Sequence, residues 1–349
     1  MNTPQELGFY FPAEWEKHES TWITFPHNDH SWQGDKLVEM YPEYFALIKA
    51  ISAGEIVNIQ VNDAELAAFI QSQYSVYGID ANQIRLHIQP TNDAWCRDHG
   101  PAILVNRNSS ERLIVDWGYN AWGGKYPPFD SDNESPSHVA DILQLPKVTP
   151  GIIMEGGSVD FNGAGTVLTS RSCLLNPNRN PHLSQEEIEQ YLCAYYGVEQ
   201  VLWVSDGIVG DDTDGHIDDT VRFVNKDTVI AMVEPNEQDE NHAVLTQNLA
   251  ELKAMRLLNG QPLNIVEIPM PAAVVIDEFR APGSYANFYI CNAAVLVPIF
   301  DCEQDEFALK TIGQFFPDRP VIGLLAKKII WGQGSFHCLT QQEPASIHA

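Results

Sequence analysis

The chain is short of positive charge: 20 Lys and Arg stand against 47 Asp and Glu, a formal net charge of −27. Such a surface repels nucleic acid and anionic membranes and draws in small cations. The plainer reading is that it keeps the protein in solution. No apolar run approaches the roughly 20 residues of a membrane span, and MNTPQELGFYFPAEW at the N-terminus lacks the basic and apolar stretches of a signal peptide. The six cysteines (Cys96, Cys173, Cys193, Cys291, Cys302 and Cys338) include no C-x-x-C pair, which argues against a zinc ribbon, a thioredoxin-type motif and a secreted disulfide framework. A reduced, soluble, cytoplasmic protein is expected. Low-complexity segments and clear linkers are also missing, although GKYPPFDSDNESP (124–136) reads either as a domain boundary or as a loop over a site.

Short Val-, Ile- and Leu-rich runs bounded by turn residues are abundant, and they read as strands. They fall at 55–61, 84–88, 101–105, 112–117, 165–170, 200–204, 220–233, 263–268, 287–300 and 320–326. Helical patterns occupy 36–53, 63–73, 184–196, 241–258 and 304–316, and Ser184 stands three residues before Glu187 as in a capping box. Two strand pairs look like hairpins, 220–224 with 228–233 and 287–291 with 293–299. Hairpins plus a helix, recurring at intervals of about 65 residues, predict a repeated unit of antiparallel strands with one helix rather than a plain βαβ alternation.

The segment WGQGSFHC (331–338) sets Cys338 directly after His337 and behind Gly332 and Gly334, which permit close backbone approach. A buried, inert thiol is the ordinary fate of a cysteine; a nucleophilic one needs nearby positive charge to become a thiolate. Upstream, TNDAWCRDHGP (91–101) and DDTDGHIDD (211–219) supply Asp98, His216 and Asp218. If His216 begins a strand, alternation puts it on the same face as Asp218. Glu155, at the end of an apolar run in MEGGS (154–158), reads as a buried carboxylate needing a partner, for which a histidine would serve. Trp95 and Trp122 flank these loops, and indole faces suit flat cations. A thiol, an imidazole and several carboxylates are what it takes to hold a guanidinium and attack its carbon. A bound guanidinium would itself supply the charge that activates the thiol.

Metal chemistries fit the spacing poorly. Asp214-Gly-His216-Ile-Asp218 matches the D-x-H-x-D of dimanganese ureohydrolases, but the D-x-D-x-x-D partner stretch is missing. Reading the acidic run as a calcium loop places Gly210 first and Val221 last, neither a usable ligand. The H-x-E with P-C-x-x-C of zinc deaminases is also missing.

Over nearly its whole length the chain resembles the agmatine deiminases and the bacterial peptidyl-arginine deiminase-type proteins of the guanidine-modifying superfamily. The motifs are PAEWEKHESTWITFP (12–26), NDAWCRDHGP (92–101), DWGYNAWGG (116–124), MEGGS (154–158), LLNPNRNP (174–181), GDDTDGHIDD (210–219), SYANFYICN (284–292) and the HC of 337–338. The resemblance implies an α/β fold, a five-bladed α/β-propeller (pentein) with pseudo-fivefold symmetry, formed by one catalytic domain over residues 1–349. It implies no metal, no organic cofactor and a homo-oligomer, commonly a dimer. Matched residue by residue, Cys338 resembles the nucleophile and His216 the general acid/base. Asp98 and Asp218 resemble the carboxylates that grip the guanidinium, and Glu155 the acid that supports the histidine. The implied reaction is hydrolysis of agmatine to N-carbamoylputrescine and ammonia, feeding putrescine synthesis. Asp212 or Asp214 could face the second positive end of such a substrate. Deimination of peptidyl-arginine is the alternative within the same chemistry, and a non-enzymatic binder of guanidino ligands or polyamines is the alternative outside it. The chain departs from the usual pattern in GQGSFHC, in His99 where a small Ser or Thr is common, and in WGGKYPPFDSDN.

Overall fold

Successive residues of a strand point to opposite faces, and the apolar runs of this chain fill both. In Ala102–Asn106, Ile103 falls in a cluster with Ile114, Val139 and Ala140, while Leu104 falls in another with Leu113, Val115 and Phe161. In Thr166–Ser170, Val167 and Leu168 divide in the same way. Strands buried on both faces read as continuous rather than alternating apolar runs, which is the pattern in the sequence.

The computed structural model describes residues 2–347 and arranges the strands in five sheets of three or four strands, with a separate hairpin of Val274–Ile276 and Phe279–Ala281. One α/β unit repeats. An antiparallel pair leads into a helix, and the next strand returns parallel to the second member of the pair. Val159–Phe161, Thr166–Ser170, the helix Gln185–Tyr196 and Gln200–Val204 follow this order. So do Val221–Phe223, Thr228–Val233, the helix His242–Ala254 and Asn264–Pro269. Tyr289–Ile290, Val295–Ile299, the helix Gln304–Gly313 and Val321–Leu325 repeat it. Ala102–Asn106, Arg112–Val115, the helix Ser135–Leu143 and Lys147–Val148 form another, with Phe9–Tyr10 added at its edge. The last unit joins the two ends of the chain. Thr340–Pro344 lies antiparallel to His18–Thr24, which runs parallel to Ile56–Val61 across the helix Lys36–Ser52, and Ile84–Ile88 completes the sheet.

Both expected hairpins are present, and Ser184 and Glu187 close a reciprocal capping box. The helix expected over 63–73 runs on to Tyr77, where Gly78 at φ 66° ends it. No helix among the described residues is long and apolar enough to cross a membrane.

Candidate active site

The five units carry their polar residues at matching places. Asp98 lies just before Ala102–Asn106, Glu155 before Val159–Phe161, His216 and Asp218 before Val221–Phe223, and Cys338 before Thr340–Pro344. The fourth unit carries Asn287 just before Tyr289–Ile290.

These residues converge on Gly157. A Cβ there would lie 2.5 Å from His216 Nδ1, 2.9 Å from Asp98 Oδ1 and 3.0 Å from Asp218 Oδ2. Only glycine leaves three polar side chains from two other units room to meet. Its own N–H donates to Asp98 Oδ1 at 2.9 Å, and the Trp122 indole N–H donates to Asp98 Oδ2 at 3.0 Å. Asp98 and Arg97 are both buried and do not form a surface pair; Arg97 instead reaches Glu14 and Gln342. The backbone turns sharply to present Trp122: Ala121 and Trp122 both hold positive φ, 51° and 54°, an uncommon region for side-chain-bearing residues.

His216 does not begin a strand. It precedes a single 3₁₀ turn, Ile217–Asp219, and the strand starts only at Val221. The turn, not strand alternation, brings His216 and Asp218 to the same site. His216 Nδ1 lies 3.7 Å from Asp98 Oδ1 and Nε2 lies 3.8 Å from Glu155 Oε2, and neither nitrogen makes a hydrogen bond. Burial works against charge on the ring, but Asp98, with Cys173 and Glu155, outweighs it and raises the pKa well above its ordinary value. The nearest partner of Glu155 is not the expected histidine. Arg179 Nε reaches Glu155 Oε1 at 2.5 Å, and Arg179 Nη1 reaches Asp214 Oδ2 at 2.7 Å. Asp214 is therefore spent on Arg179 and on Lys125, 2.7 Å from its other oxygen, and does not face the cavity.

Cys338 is 5% exposed, and its carbonyl accepts the Arg97 N–H at 3.1 Å. Its Sγ accepts from Asn287 Nδ2 at 3.0 Å and lies 3.7 Å from Asp218 Oδ2. Burial, then Asp218, Asp219 and Asp98, push the thiol pKa well above its usual value. Asp218 itself stays below the usual carboxylate range despite burial, because His337 Nδ1 stands 2.7 Å from its Oδ2. The other oxygen, Asp218 Oδ1, is buried without a hydrogen-bond partner.

Above these groups lies a cavity of about 690 Å³, bordered by Trp95, Trp122, Tyr126, Asp212, Asp98 and Cys338. Trp95 stacks on Trp32 with ring centres 5.2 Å apart. Gly332 and Gly334 lie directly against this pair: a Cβ at Gly334 would be 2.4 Å from Trp95 Cζ3, and one at Gly332 would be 2.4 Å from Trp32 Cζ2. Of the 124–136 segment, Lys125–Pro128 form a loop that borders the cavity, followed by a helical turn at Asp130–Asn133 and the start of the helix Ser135–Leu143; Tyr126 donates its hydroxyl to Asp212 Oδ2, and Lys125 reaches the Asp212 carbonyl. Asp212 thus borders the cavity with one oxygen already engaged. Sequence reasoning passed over Asn287, Arg179 and the Glu14–His337 contact of 2.8 Å. Asn287 had a signal, its place in SYANFYICN at the start of the fourth unit. Glu14, some 80 residues from its nearest ionic partner in the chain, had none.

Residues 10–344 match the family model described as Porphyromonas-type peptidyl-arginine deiminase. A relative from Legionella pneumophila (strain Paris), provisionally named an agmatine deiminase, is 36% identical over 99% of each chain. The solved agmatine deiminase of Enterococcus faecalis superposes with a TM-score of 0.90 at 32% identity, over 99% of each chain. An agmatine deiminase of C. jejuni with substrate bound gives 0.87 at 30%, over 97% of each.

Proposed function

Because the chain belongs to the Porphyromonas-type peptidyl-arginine deiminase family, we propose that it hydrolyses agmatine to N-carbamoylputrescine and ammonia through a covalent amidino-cysteine. The observation that carries this reading is the meeting of Asp98, Asp218 and His216 around Gly157, with the Cys338 sulfur 3.7 Å from Asp218.

A guanidinium carbon is a weak electrophile because its charge is delocalised. Asp98 and Asp218 would hold its nitrogens and aim the carbon at sulfur, and the unpartnered Asp218 Oδ1 is suited to accept one of those N–H groups. The thiol is protonated in its acidic surroundings; the arriving cation offsets the carboxylates and favours the thiolate, whose proton leaves to solvent water. Sulfur adds to the carbon, and the C–N bond to the outgoing nitrogen breaks as His216, held protonated, gives that nitrogen its proton. Ammonia leaves and an amidino-thioether remains. Neutral His216 then takes a proton from water, whose oxygen adds to the same carbon. The C–S bond breaks and releases the ureido product and the thiol.

The cavity wall favours agmatine over free arginine. The lysine that borders it, Lys125, is occupied by Asp214 and the Asp212 carbonyl, so it is not free for an α-carboxylate. Asp212 and the indoles of Trp95 and Trp122 suit a second positive end. The deciding assay is ammonia release from agmatine, arginine and a blocked arginyl peptide, by the wild type and by Cys338→Ala. We expect release from agmatine alone, abolished in the variant. Peptide turnover would move the activity to protein deimination, and activity surviving in Cys338→Ala would overturn the thiol mechanism.

The same reading takes residues 1–349 as one catalytic domain. Five repeated sheets support a five-bladed propeller with pseudo-fivefold symmetry about this site. The family resemblance supports a homo-oligomer, in its simplest form a dimer. Six free cysteines suit the reducing cytoplasm.

A further inference from the structure

Behind the imidazole of His216, on the side away from Asp98, three ligand-type groups face one another. Cys173 Sγ lies 3.7 Å from Glu155 Oε2, and His216 Nε2 lies 3.8 Å from the same oxygen. The three ligand atoms are all within 4.8 Å of each other, and each of the three residues is buried. Among the described residues this is the one such group of His, Cys, Asp or Glu that could close on a metal ion. Cys173 comes from the helical turn after Thr166–Ser170, has no part in the reaction derived above, and is buried without exposure. His216 Nε2 points into the group without a hydrogen bond, an unusual state for a buried nitrogen.

We propose that Cys173, His216 and Glu155 form an inhibitory site for a thiophilic divalent transition ion of the zinc type. Thiolate, imidazole and carboxylate, here with ligand atoms within 4.8 Å of one another, are zinc's ligand types, with a fourth position left to water. Hard ions such as magnesium, which want several oxygens, find one carboxylate oxygen here, because Arg179 occupies the other at 2.5 Å. The surroundings favour a cation, since the Asp98 carboxylate lies 3.7 Å from the other ring nitrogen. Binding replaces the Cys173 thiol proton, so affinity rises with pH. Coordination through Nε2 fixes the ring and denies it the imidazolium form. A ring so held cannot deliver a proton to the leaving nitrogen and recover it from water, and turnover stops with the nucleophile untouched.

The test reads the ion directly. Cobalt(II) is titrated into the wild type, Cys173→Ser, Cys173→Ala and Cys338→Ser, and the thiolate-to-cobalt absorption band is followed. We expect one equivalent and a band in the wild type and Cys338→Ser, and no band in either Cys173 variant. Half-inhibition by zinc, each protein normalised to its own metal-free rate, should need at least tenfold more zinc in Cys173→Ser, while magnesium inhibits neither. A band that survives loss of Cys173 and disappears in Cys338→Ser puts the ion on the nucleophile and overturns the proposal, as does failure of the wild type to bind. If the Cys173 variants do not fold, a zinc-edge anomalous map of wild-type crystals decides between density at Cys173 and His216 and density at Cys338. None of the binding readouts depends on the identity of the substrate.

Discussion

His337 Nδ1 stands 2.7 Å from Asp218 Oδ2, while its Nε2 stands 2.8 Å from Glu14 Oε2. One buried imidazole thus bridges two buried carboxylates, next to Cys338 in sequence and against Asp218 in space. Glu14 is the hub of this arrangement. Against burial, Arg222, His337 and Arg97 hold its carboxyl well below the usual range. His337→Asn leaves two buried carboxylates without their shared partner. We expect a loss of roughly 3 kcal/mol in folding stability and a fall in kcat/KM of about tenfold to a hundredfold. Urea denaturation and steady-state assays check the two. Pairing the change with Glu14→Gln should cost less stability than the two singles added together; strict additivity would mean the contact is not coupled.

Trp122 borders the cavity and also donates its indole N–H to Asp98 Oδ2 at 3.0 Å. The two roles separate in Trp122→Phe, which keeps a ring face and removes the donor. Leaving a buried carboxylate oxygen unmatched costs about 1–3 kcal/mol, so kcat/KM for agmatine should fall by about fivefold to a hundredfold. Activity within twofold of the wild type would show that the ring face alone matters.

The strands that could be read from sequence are those buried on both faces, such as Thr166–Ser170 and Val295–Ile299. His18–Thr24 and Thr340–Pro344 could not, although nearly all of their residues are buried. Their sequences, HESTWIT and TQQEP, are polar because the cover they need is polar. Glu343 accepts from Ser20, Trp22 and Arg112, and Gln342 accepts from Arg97. No local pattern announces a strand whose partners lie at the other end of the chain. The site shows the same divide. Asp98, His216, Asp218, Glu155 and Cys338 stand in short motifs that could be recognised by resemblance, whereas Arg179 and Glu14 act through distant contacts. His216 and Asp218 were paired on an assumed strand and are brought together by a 3₁₀ turn instead, so the right pair followed from the wrong geometry.

The Cys338 thiol is pushed up by burial and by Asp218, Asp219 and Asp98. Its thiolate fraction near neutral pH is therefore smaller than that of a free cysteine. Neutral iodoacetamide should label it slowly at pH 7 and faster as pH rises, with no plateau by pH 9. Cationic chloroacetamidine should react faster than iodoacetamide, and anionic iodoacetate slowest, because the carboxylates attract one and repel the other. Mass mapping of the Cys338 peptide follows each rate. Rapid, pH-independent labelling by iodoacetamide would mean a standing thiolate and would remove the need for substrate charge in the mechanism.

His99 is buried beside Tyr119, with both ring nitrogens lacking hydrogen-bond partners. Burial lowers its pKa from 6.5 to about 4, with Asp98 and Asp93 offsetting only part of that. The folded protein therefore holds the ring neutral at a pH where the unfolded chain has already taken up a proton. Where the unfolded state binds more protons, stability rises with pH. His99 should accordingly cost the fold stability as pH falls from 6.5 to 4, up to about 3 kcal/mol at 1.36 kcal/mol per pH unit. Asp132, raised to about 7 by burial, acts in the opposite sense over the whole of this range, so the wild-type curve alone does not isolate the effect. The difference between wild type and His99→Gln does. Urea denaturation at pH 7, 6, 5 and 4 should show the variant losing less stability per pH unit than the wild type. Parallel curves would mean that His99 is not neutral in the fold.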